Sequence, residues 1–433
     1  MAQVTLALVG AGLRGMTYAR HAVATGSARL TAVAEPDPRR RARAAAEFGV
    51  PPERTYPDWR AAVRDGRLAD ACIVATQDRE HTEPAVALAD LGHHILLEKP
   101  MATSEAEATA IAEAARRNGI LLAVCHVLRY TPYTRFLKRL LDDGRIGDVV
   151  SVQHLEPVGW WHQAHSFVRG NWRRQDTSAP MLLTKSCHDI DWLVHLFGQP
   201  PRRVSSFGSL THFRPESAPA GAAARCADCA VEAGCPYSAE RLYLGCLGDP
   251  EREFWPLSAV TDDHTEAGVR EALRTGPYGR CVYACDNDVV DHQVVAMEFP
   301  SGATCSFTMS AFTPMEQRRT RILGTHGFLD GDGETLRLVD FRDGSERVVG
   351  PYTRVPDPHT DAAAQAGPSA RDGHGGGDEA LTEAFLAAVA TGDASLLLSD
   401  AAESLATHRV VWAAERARTT GTVVELPAGL GVA

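Results

Sequence analysis

Short apolar runs alternate with amphipathic stretches through the amino-terminal part of the chain. The segments VTLALV at 4–9, RLTAVA at 29–34, ACIVAT at 71–76 and HILLEKP at 94–100 are apolar over consecutive positions, as strands buried on both faces require. Between them apolar residues recur three and four positions apart, first in LRGMTYARHAV with Leu13, Met16, Tyr18 and Ala19, then in TEPAVALADLG and SEAEATAIAEAARRNG. The last of these opens on Ser104 and Glu107, a capping box, and stops at Gly119. ILLAVCHVLRY supplies a further strand, and after Tyr130 the alternation ends. Strand and helix in regular succession predict a doubly wound parallel sheet over residues 1–128.

Composition narrows the class. With 433 residues, 44% of them hydrophobic, the chain can bury a sizeable core and fits two domains. Its 44 basic and 55 acidic side chains leave a net charge of −11, which argues against nucleic acid or an anionic membrane as a partner. No apolar run approaches the roughly 20 residues needed to cross a bilayer. The first strand follows Met1 too closely, and without a basic lead-in, for a signal peptide. The expectation is a cytoplasmic protein with its 10 cysteines reduced. No internal repeat is visible.

The first strand runs into Gly10, Gly12 and Gly15, the G-x-G-x-x-G spacing, with Leu13 and Arg14 in the turn. Gly10 permits the turn, Gly12 lets backbone approach a pyrophosphate, and Gly15 lets helix pack on strand, so that the helix amino terminus faces the phosphates. The second strand ends at Glu35, where a carboxylate accepts the ribose hydroxyls of NAD and repels the extra phosphate of NADP. RRRAR at 39–43 could instead hold that phosphate; we read those arginines as the exposed face of the next helix and expect NAD. Thr76 and Glu98 to Pro100 lie at carboxyl ends of strands, where such sheets bind ligands.

Residues 182–193, LLTKSCHDIDWL, set Lys185, His188, Asp189 and Asp191 among apolar neighbours, although buried charges are costly unless paired or used. Read as one helix, the stretch places Lys185 beside His188, with Asp191 one turn on to brace the imidazole. Histidine supplies a base near neutral pH, and a nearby ammonium lowers its proton affinity and can hold an alkoxide or a sugar hydroxyl. The plainer alternative is a histidine that caps or bridges core elements.

VGAGLRG, the acid after the second strand, EKP at 98–100, HVLRYTP at 126–132 and the later WR and HDID together resemble the Gfo/Idh/MocA family of nicotinamide-dependent oxidoreductases. The resemblance covers most of the chain and implies a Rossmann domain followed, over 129–433, by an α/β domain with a large open, mostly antiparallel sheet that often makes oligomer contacts. A homo-oligomer, dimer or tetramer, is therefore expected. Carried over, Lys99 contacts the reacting hydroxyl or carbonyl and His188 is the proton-transfer partner, while Thr76, His81, Glu98, Trp172 and Arg173 line the cofactor. This chain departs from the family at Thr184, where many members place a relay aspartate, and at Lys185, a charged newcomer.

On the substrate side, residues 153–176 are dense in tryptophan, histidine and arginine, a composition suited to stacking on sugar rings and meeting hydroxyls. The candidates are Trp160, Trp161, His162, His165 and Arg169, against the alternative of a decorated loop on a sheet edge. His126, Arg129 and Tyr130 lie at the mouth between the domains. RDGHGGGDEAL at 371–381 offers His374 and Asp378 around glycines that let backbone approach a ligand; it follows a stretch with no apolar period.

RCADCAVEAGCPYS places Cys226, Cys229 and Cys235 in an insertion at about 214–285. Two thiolates two residues apart can chelate zinc, and with Cys281 as fourth ligand, preferred over Cys246 and Cys285, the site would be structural; unliganded thiols are the alternative. The expected activity is NAD-dependent oxidation of a secondary hydroxyl on a sugar, polyol or glycoside, with Lys99, His188 and Lys185 at the reacting centre. Two alternatives stand beside it. One is a glycosidase that oxidises, eliminates and re-reduces with NAD recycled; the other is a cofactor-binding regulator without activity.

Overall fold

The computed structural model describes residues 3–352 and 374–427. The weakly patterned stretch from Thr353 onward lies outside the described residues, as does the part of the RDGHGGGDEAL loop before His374.

Six strands form the first sheet: β1 (Val4–Val9), β2 (Ala28–Ala34), β3 (Thr55–Tyr56), β4 (Ala71–Val74), β5 (His94–Leu97) and β6 (Leu122–Val124). They pair in parallel in the order β3-β2-β1-β4-β5-β6, the doubly wound order of a Rossmann fold. Strands β4, β5 and β6 bury nearly every residue because helices cover both faces. Among those helices, Leu13–Ala24 begins directly from the glycine turn, and Glu105–Asn118 is capped by Ser104, whose hydroxyl accepts from Glu107 N, and closed by Gly119 in the left-handed conformation.

Nine strands form the second sheet: β7 (Val149–Pro157), β8 (Arg203–Ser209), β9 (His292–Glu298), β10 (Thr304–Ser310), β11 (Arg319–Gly324), β12 (Gly327–Gly331), β13 (Leu336–Asp340), β14 (Glu346–Val349) and β15 (Val424–Glu425). Their order is β14-β13-β12-β11-β7-β10-β9-β8-β15, and every pair is antiparallel except β7 with β10. Each strand alternates. Val152, His154 and Glu156 of β7 and Thr320 and Ile322 of β11 point to one face, which helices Cys187–Phe197 and Ala401–Thr420 cover. Phe207, Val294 and Leu323 point to the other face and are exposed.

The carboxyl-terminal chain returns to the first sheet. Leu381, Phe385 and Leu386 of helix Gly377–Thr391 share a core with Leu6, Leu8 and Tyr18 of the Rossmann unit. Ala401 and Leu405 reach the core on its other side.

Candidate active site

The glycine turn is shaped for backbone approach. Gly10 adopts φ +93°, and a Cβ there would sit 2.5 Å from the Ala75 carbonyl oxygen. At Gly15 a Cβ would collide with the Gly10 carbonyl, whereas around Gly12 nothing lies within 4 Å, so that face is open where Leu13 starts the helix. Glu35, buried at the end of β2, turns its carboxylate to this loop, accepting from Ala11 N at 2.7 Å and Asp37 N at 2.9 Å. Arg41 reaches back to the Glu35 carbonyl at 2.5 Å, while Arg39, Arg40 and Arg43 face solvent on helix Pro38–Phe48. Open backbone at Gly12, a helix amino terminus and a carboxylate at the end of β2 fit a dinucleotide with free ribose hydroxyls.

Other residues expected around the cofactor are tied to one another and to the chain around them. Arg14 is held by carboxylates, with Nε 2.7 Å from Glu98 Oε1 and Nη2 2.6 Å from Asp378 Oδ1. Glu98 also accepts from Tyr18 Oη at 3.1 Å and Lys99 N at 2.6 Å. His81 is fully buried and ties two strand-end loops, Nδ1 to the Pro100 carbonyl at 2.8 Å and Nε2 to that of Thr76 at 3.2 Å. Trp172 donates to Asp78 at 2.9 Å, joining the two units, and Arg173 pairs with Asp286 at 2.8 Å.

LLTKSCHDIDWL is two helices. Met181–Thr184 ends at Lys185 and Ser186, and Cys187–Phe197 begins anew. The break releases the Thr184 carbonyl from the helical ladder, and Lys99 Nζ takes it at 2.7 Å. Lysine at the end of β5 thus meets the turn that carries His188. Lys185 points instead to β7, its Nζ 2.9 Å from Glu156 Oε1. Glu156 Oε2 lies 3.0 Å from Arg318 Nη2, and Arg318 Nε donates to Asp189 Oδ1 at 2.5 Å. His154 lies 3.3 Å from the same Asp189 oxygen and bonds Thr320 at 2.7 Å. Burial would push the Asp189 carboxyl up, but Arg318 and His154 hold it well below the usual carboxylate range.

The expected bracing of His188 by Asp191 does not occur. Asp191 binds Arg129 through both oxygens, 2.7 Å to Nε and 2.9 Å to Nη2. Arg129 also holds the Leu398 carbonyl and Glu403, and Tyr130 accepts from Leu398 N at 2.8 Å, so these two side chains fasten the returning chain. His188 is 5% exposed, and burial first, then Lys99, His374 and His126, drive its proton affinity well down, leaving a neutral imidazole. The His374 ring lies 5.8 Å from it and bonds Asp378 Oδ2 at 3.0 Å. Beside His374 opens a cavity of about 180 Å³ lined by Leu128, Thr131, Tyr133, Trp192 and Arg318 among others. Glu156, Arg318 and His154 went unnoticed in the sequence; the alternation of Val152, His154 and Glu156 on one face of a strand was the available signal.

Residues 4–126 match a model described as the oxidoreductase family with NAD-binding Rossmann fold, and residues 138–426 match its carboxyl-terminal alpha/beta domain. The chain belongs to the Gfo/Idh/MocA oxidoreductase family. It is 28% identical to the oxidoreductase YteT of Bacillus subtilis (strain 168) over 329 residues, 72% of this chain and 71% of that protein. It is 27% identical to the 2,7-anhydro-N-acetylneuraminate hydratase of Escherichia coli (strain K12) over 155 residues, 36% of this chain and 41% of that protein. A levoglucosan dehydrogenase solved with NADH and levoglucosan shares the fold at TM-score 0.70 and 20% identity, covering 98% of this chain and 99% of that one.

The cysteine-bearing segment expected as an insertion lies between β8 and β9, and the aromatic-rich stretch is its seat. Trp160 is 40% exposed and donates to the Pro236 carbonyl at 3.3 Å; Trp161 and His162 pack on Trp255 at 5.2 and 4.9 Å. His165 bonds Tyr243 at 2.8 Å and stacks on Tyr278, and burial pulls its pKa down to about 3. The expected zinc site is not supported: among the described residues no group of three or more histidine, cysteine or acidic side chains is gathered to hold a metal. Buried Arg169 does the joining instead, with Nε to the Arg280 carbonyl at 2.8 Å and Nη2 to the Tyr237 carbonyl at 2.7 Å and to Cys226 Sγ at 3.7 Å. Cys229, Cys235 and Cys281 are free thiols around that knot.

Proposed function

We propose that this NAD-dependent oxidoreductase acts on a secondary hydroxyl of a neutral sugar or polyol, with residues 1–128 as the cofactor domain. The observation that carries the reading is the meeting of Lys99 with the Thr184–His188 turn, which brings an ammonium and a neutral imidazole from two units to one seam. His188 accepts the hydroxyl proton, and Lys99 holds the oxygen as negative charge grows on it. When bound, NAD supplies the hydride acceptor. Glu35 selects NAD over NADP by accepting ribose hydroxyls and repelling a phosphate. Lys185 and Arg318 are matched by Glu156 and Asp189, so the substrate side is charge-compensated and suits hydroxyls better than an acid group. The sugar relative solved with levoglucosan supports the substrate class.

A second reading, oxidation followed by elimination with NAD recycled, draws on the anhydroneuraminate hydratase among the relatives. The pairing of Lys185 with Glu156 removes the free cation that such an enolate would use, so simple dehydrogenation stands first. The test incubates the protein with NAD and a panel of polyols, sugars and aryl glycosides, following NADH absorbance and aglycone release separately. Stoichiometric NADH supports the dehydrogenase, and aglycone at catalytic NAD supports elimination. Lys99→Ala and His188→Ala lower turnover by about 10²-fold or more while NAD still binds; unchanged turnover refutes the assignment. The apolar outer face at Phe207, Val294 and Leu323 supports a homo-oligomer formed through the second sheet, which sedimentation of Phe207→Glu checks.

A further inference from the structure

A neutral histidine has one ring nitrogen that accepts and one that donates, and its partner decides which. In His188 the Nδ1 atom is enclosed with no hydrogen-bond partner among the described residues, while Nε2 is not so enclosed. Buried polar atoms without partners are rare, and the neighbouring ring of His126 carries two more. His126 is 0% exposed, and both its ring nitrogens lack partners among the described residues. The two rings stand edge to face at 79°, centroids 5.9 Å apart, a separation that one bridging water or a small ring shift closes. Behind His126, Asp191 Oδ1 lies 3.7 Å from Nε2. That carboxylate is ionised and fixed by Arg129 and by Thr407 at 3.0 Å, so it draws the His126 proton to Nε2 and leaves Nδ1 as an acceptor.

We infer that His126 is a positioning residue, which accepts the Nδ1 proton of His188, directly or through one water, and thereby keeps Nε2 of His188 free as the base. The relay aspartate that this chain lacks at Thr184 is replaced by an imidazole backed by a carboxylate. The two other histidines nearby are committed elsewhere. His408 packs 5.4 Å from His126, but its Nδ1 binds the Ser404 carbonyl at 2.7 Å and its Nε2 accepts from Met101 N at 3.0 Å. His374 has Nδ1 on Asp378, and its side chain is 28% exposed, open to solvent as the enclosed His188 Nδ1 is not. Burial chiefly, with His408, Arg129 and Lys99 adding and Asp191 opposing, holds the His126 pKa at about 3, so it serves as a neutral acceptor at physiological pH.

This inference rests on His188 being the base, and its test needs no substrate. The full chain, with selectively nitrogen-labelled histidine and saturated with NAD, is studied by NMR, and His188 is assigned through His188→Asn. The wild type shows His188 protonated at Nδ1. In His126→Phe, which keeps the ring packing but not the acceptor, that tautomer gives way to a mixture or to the Nε2 form. His126→Asn retains it, and so does His374→Asn. An Nε2-protonated His188 in the wild type overturns the inference whether or not the variants fold; so does an Nδ1 tautomer that survives in His126→Phe. With the best polyol from the panel, His126→Phe loses about 10²-fold in kcat with little change in KM, and His126→Asn recovers part of it. Loss of the tautomer without loss of turnover would leave the positioning intact and refute His188 as the base.

Discussion

Replacing Asp191 by asparagine leaves the Arg129 guanidinium without its main counter-ion at a position 3% exposed. In the native protein both carboxylate oxygens serve that cation, at 2.7 and 2.9 Å. Removing one partner of a buried pair costs about 3–5 kcal/mol, because the remaining charge stays desolvated. Two features set the expected value at the lower end: Arg129 keeps Glu403 and the Leu398 carbonyl, and the asparagine oxygen still accepts one bond. The expectation is a loss of about 3 kcal/mol, roughly 150-fold in the folding equilibrium. Urea unfolding at pH 7, followed by tryptophan fluorescence, reads it as a lowered midpoint. Burial pushes the Asp191 carboxyl up, but Arg129 holds it below its ordinary value. The pair therefore contributes fully above the ordinary carboxylate range, and the gap between the two proteins narrows only as the pH falls below about 4. Asp191→Leu combined with Arg129→Met, an apolar pair in place of an ionic one, recovers most of the loss. A single variant within about 0.5 kcal/mol of the native protein, or a double variant as damaged as the single, refutes this account of the seam.

Glu35→Ala removes the acceptor for ribose hydroxyls, so the ratio of NADP to NAD dissociation constants, measured by fluorescence titration, falls toward one. Arg169→Met unties the Tyr237 and Arg280 carbonyls and makes the insertion more sensitive to limited proteolysis, whereas Cys229→Ser leaves that sensitivity and the thermal midpoint nearly unchanged. Metal loss on mutation of Cys229 would overturn the assignment of that joint to the arginine. Glu156→Gln strips Lys185 and Arg318 of their shared partner; kcat/KM for neutral polyols drops while sugar acids are accepted better, and unchanged discrimination counts against charge compensation as a selector.

The parallel sheet was legible because burial on both faces leaves unbroken apolar runs, and the turn because three glycines answer separate steric demands at Ala75, at the open face and at Gly10. The break at Lys185 and Ser186 was not. Helical spacing continues through it, and what interrupts it is non-local: Glu156 on β7 holds Lys185, and Lys99 on the other sheet holds the Thr184 carbonyl. The interruption turns Lys185 toward β7 and its ion pair with Glu156, instead of leaving it on one continuous helix with His188. The same limit applies at 160–165, where the aromatic density that suggested sugar stacking is answered by Trp255, Tyr243 and Tyr278 of the insertion. Composition says what a surface can bind, but it cannot say that the chain itself returns to cover it.

The charges along the dinucleotide path sharpen what holds the cofactor. Glu35, Glu98 and Asp378 are set against Arg14 and Lys99, and Arg14 has its guanidinium engaged by both Glu98 and Asp378. Burial opposes ionisation of Asp378, yet His374 and Arg14 keep its carboxyl far below the usual range, so the negative charge is permanent at physiological pH. A pyrophosphate approaching this turn meets no uncommitted cation in it. Its stabilisation must come from backbone N–H groups at the open Gly12 face and from the amino terminus of helix Leu13–Ala24, fixed dipoles that need no counter-ion release. Fixed dipoles at contact distance are screened weakly, so NAD affinity should change little with ionic strength, whereas a site built on surface arginines would lose affinity as salt rises. The same surplus of carboxylates makes a second phosphate costly, and this places the preference for NAD in the field of the whole path rather than in Glu35 alone.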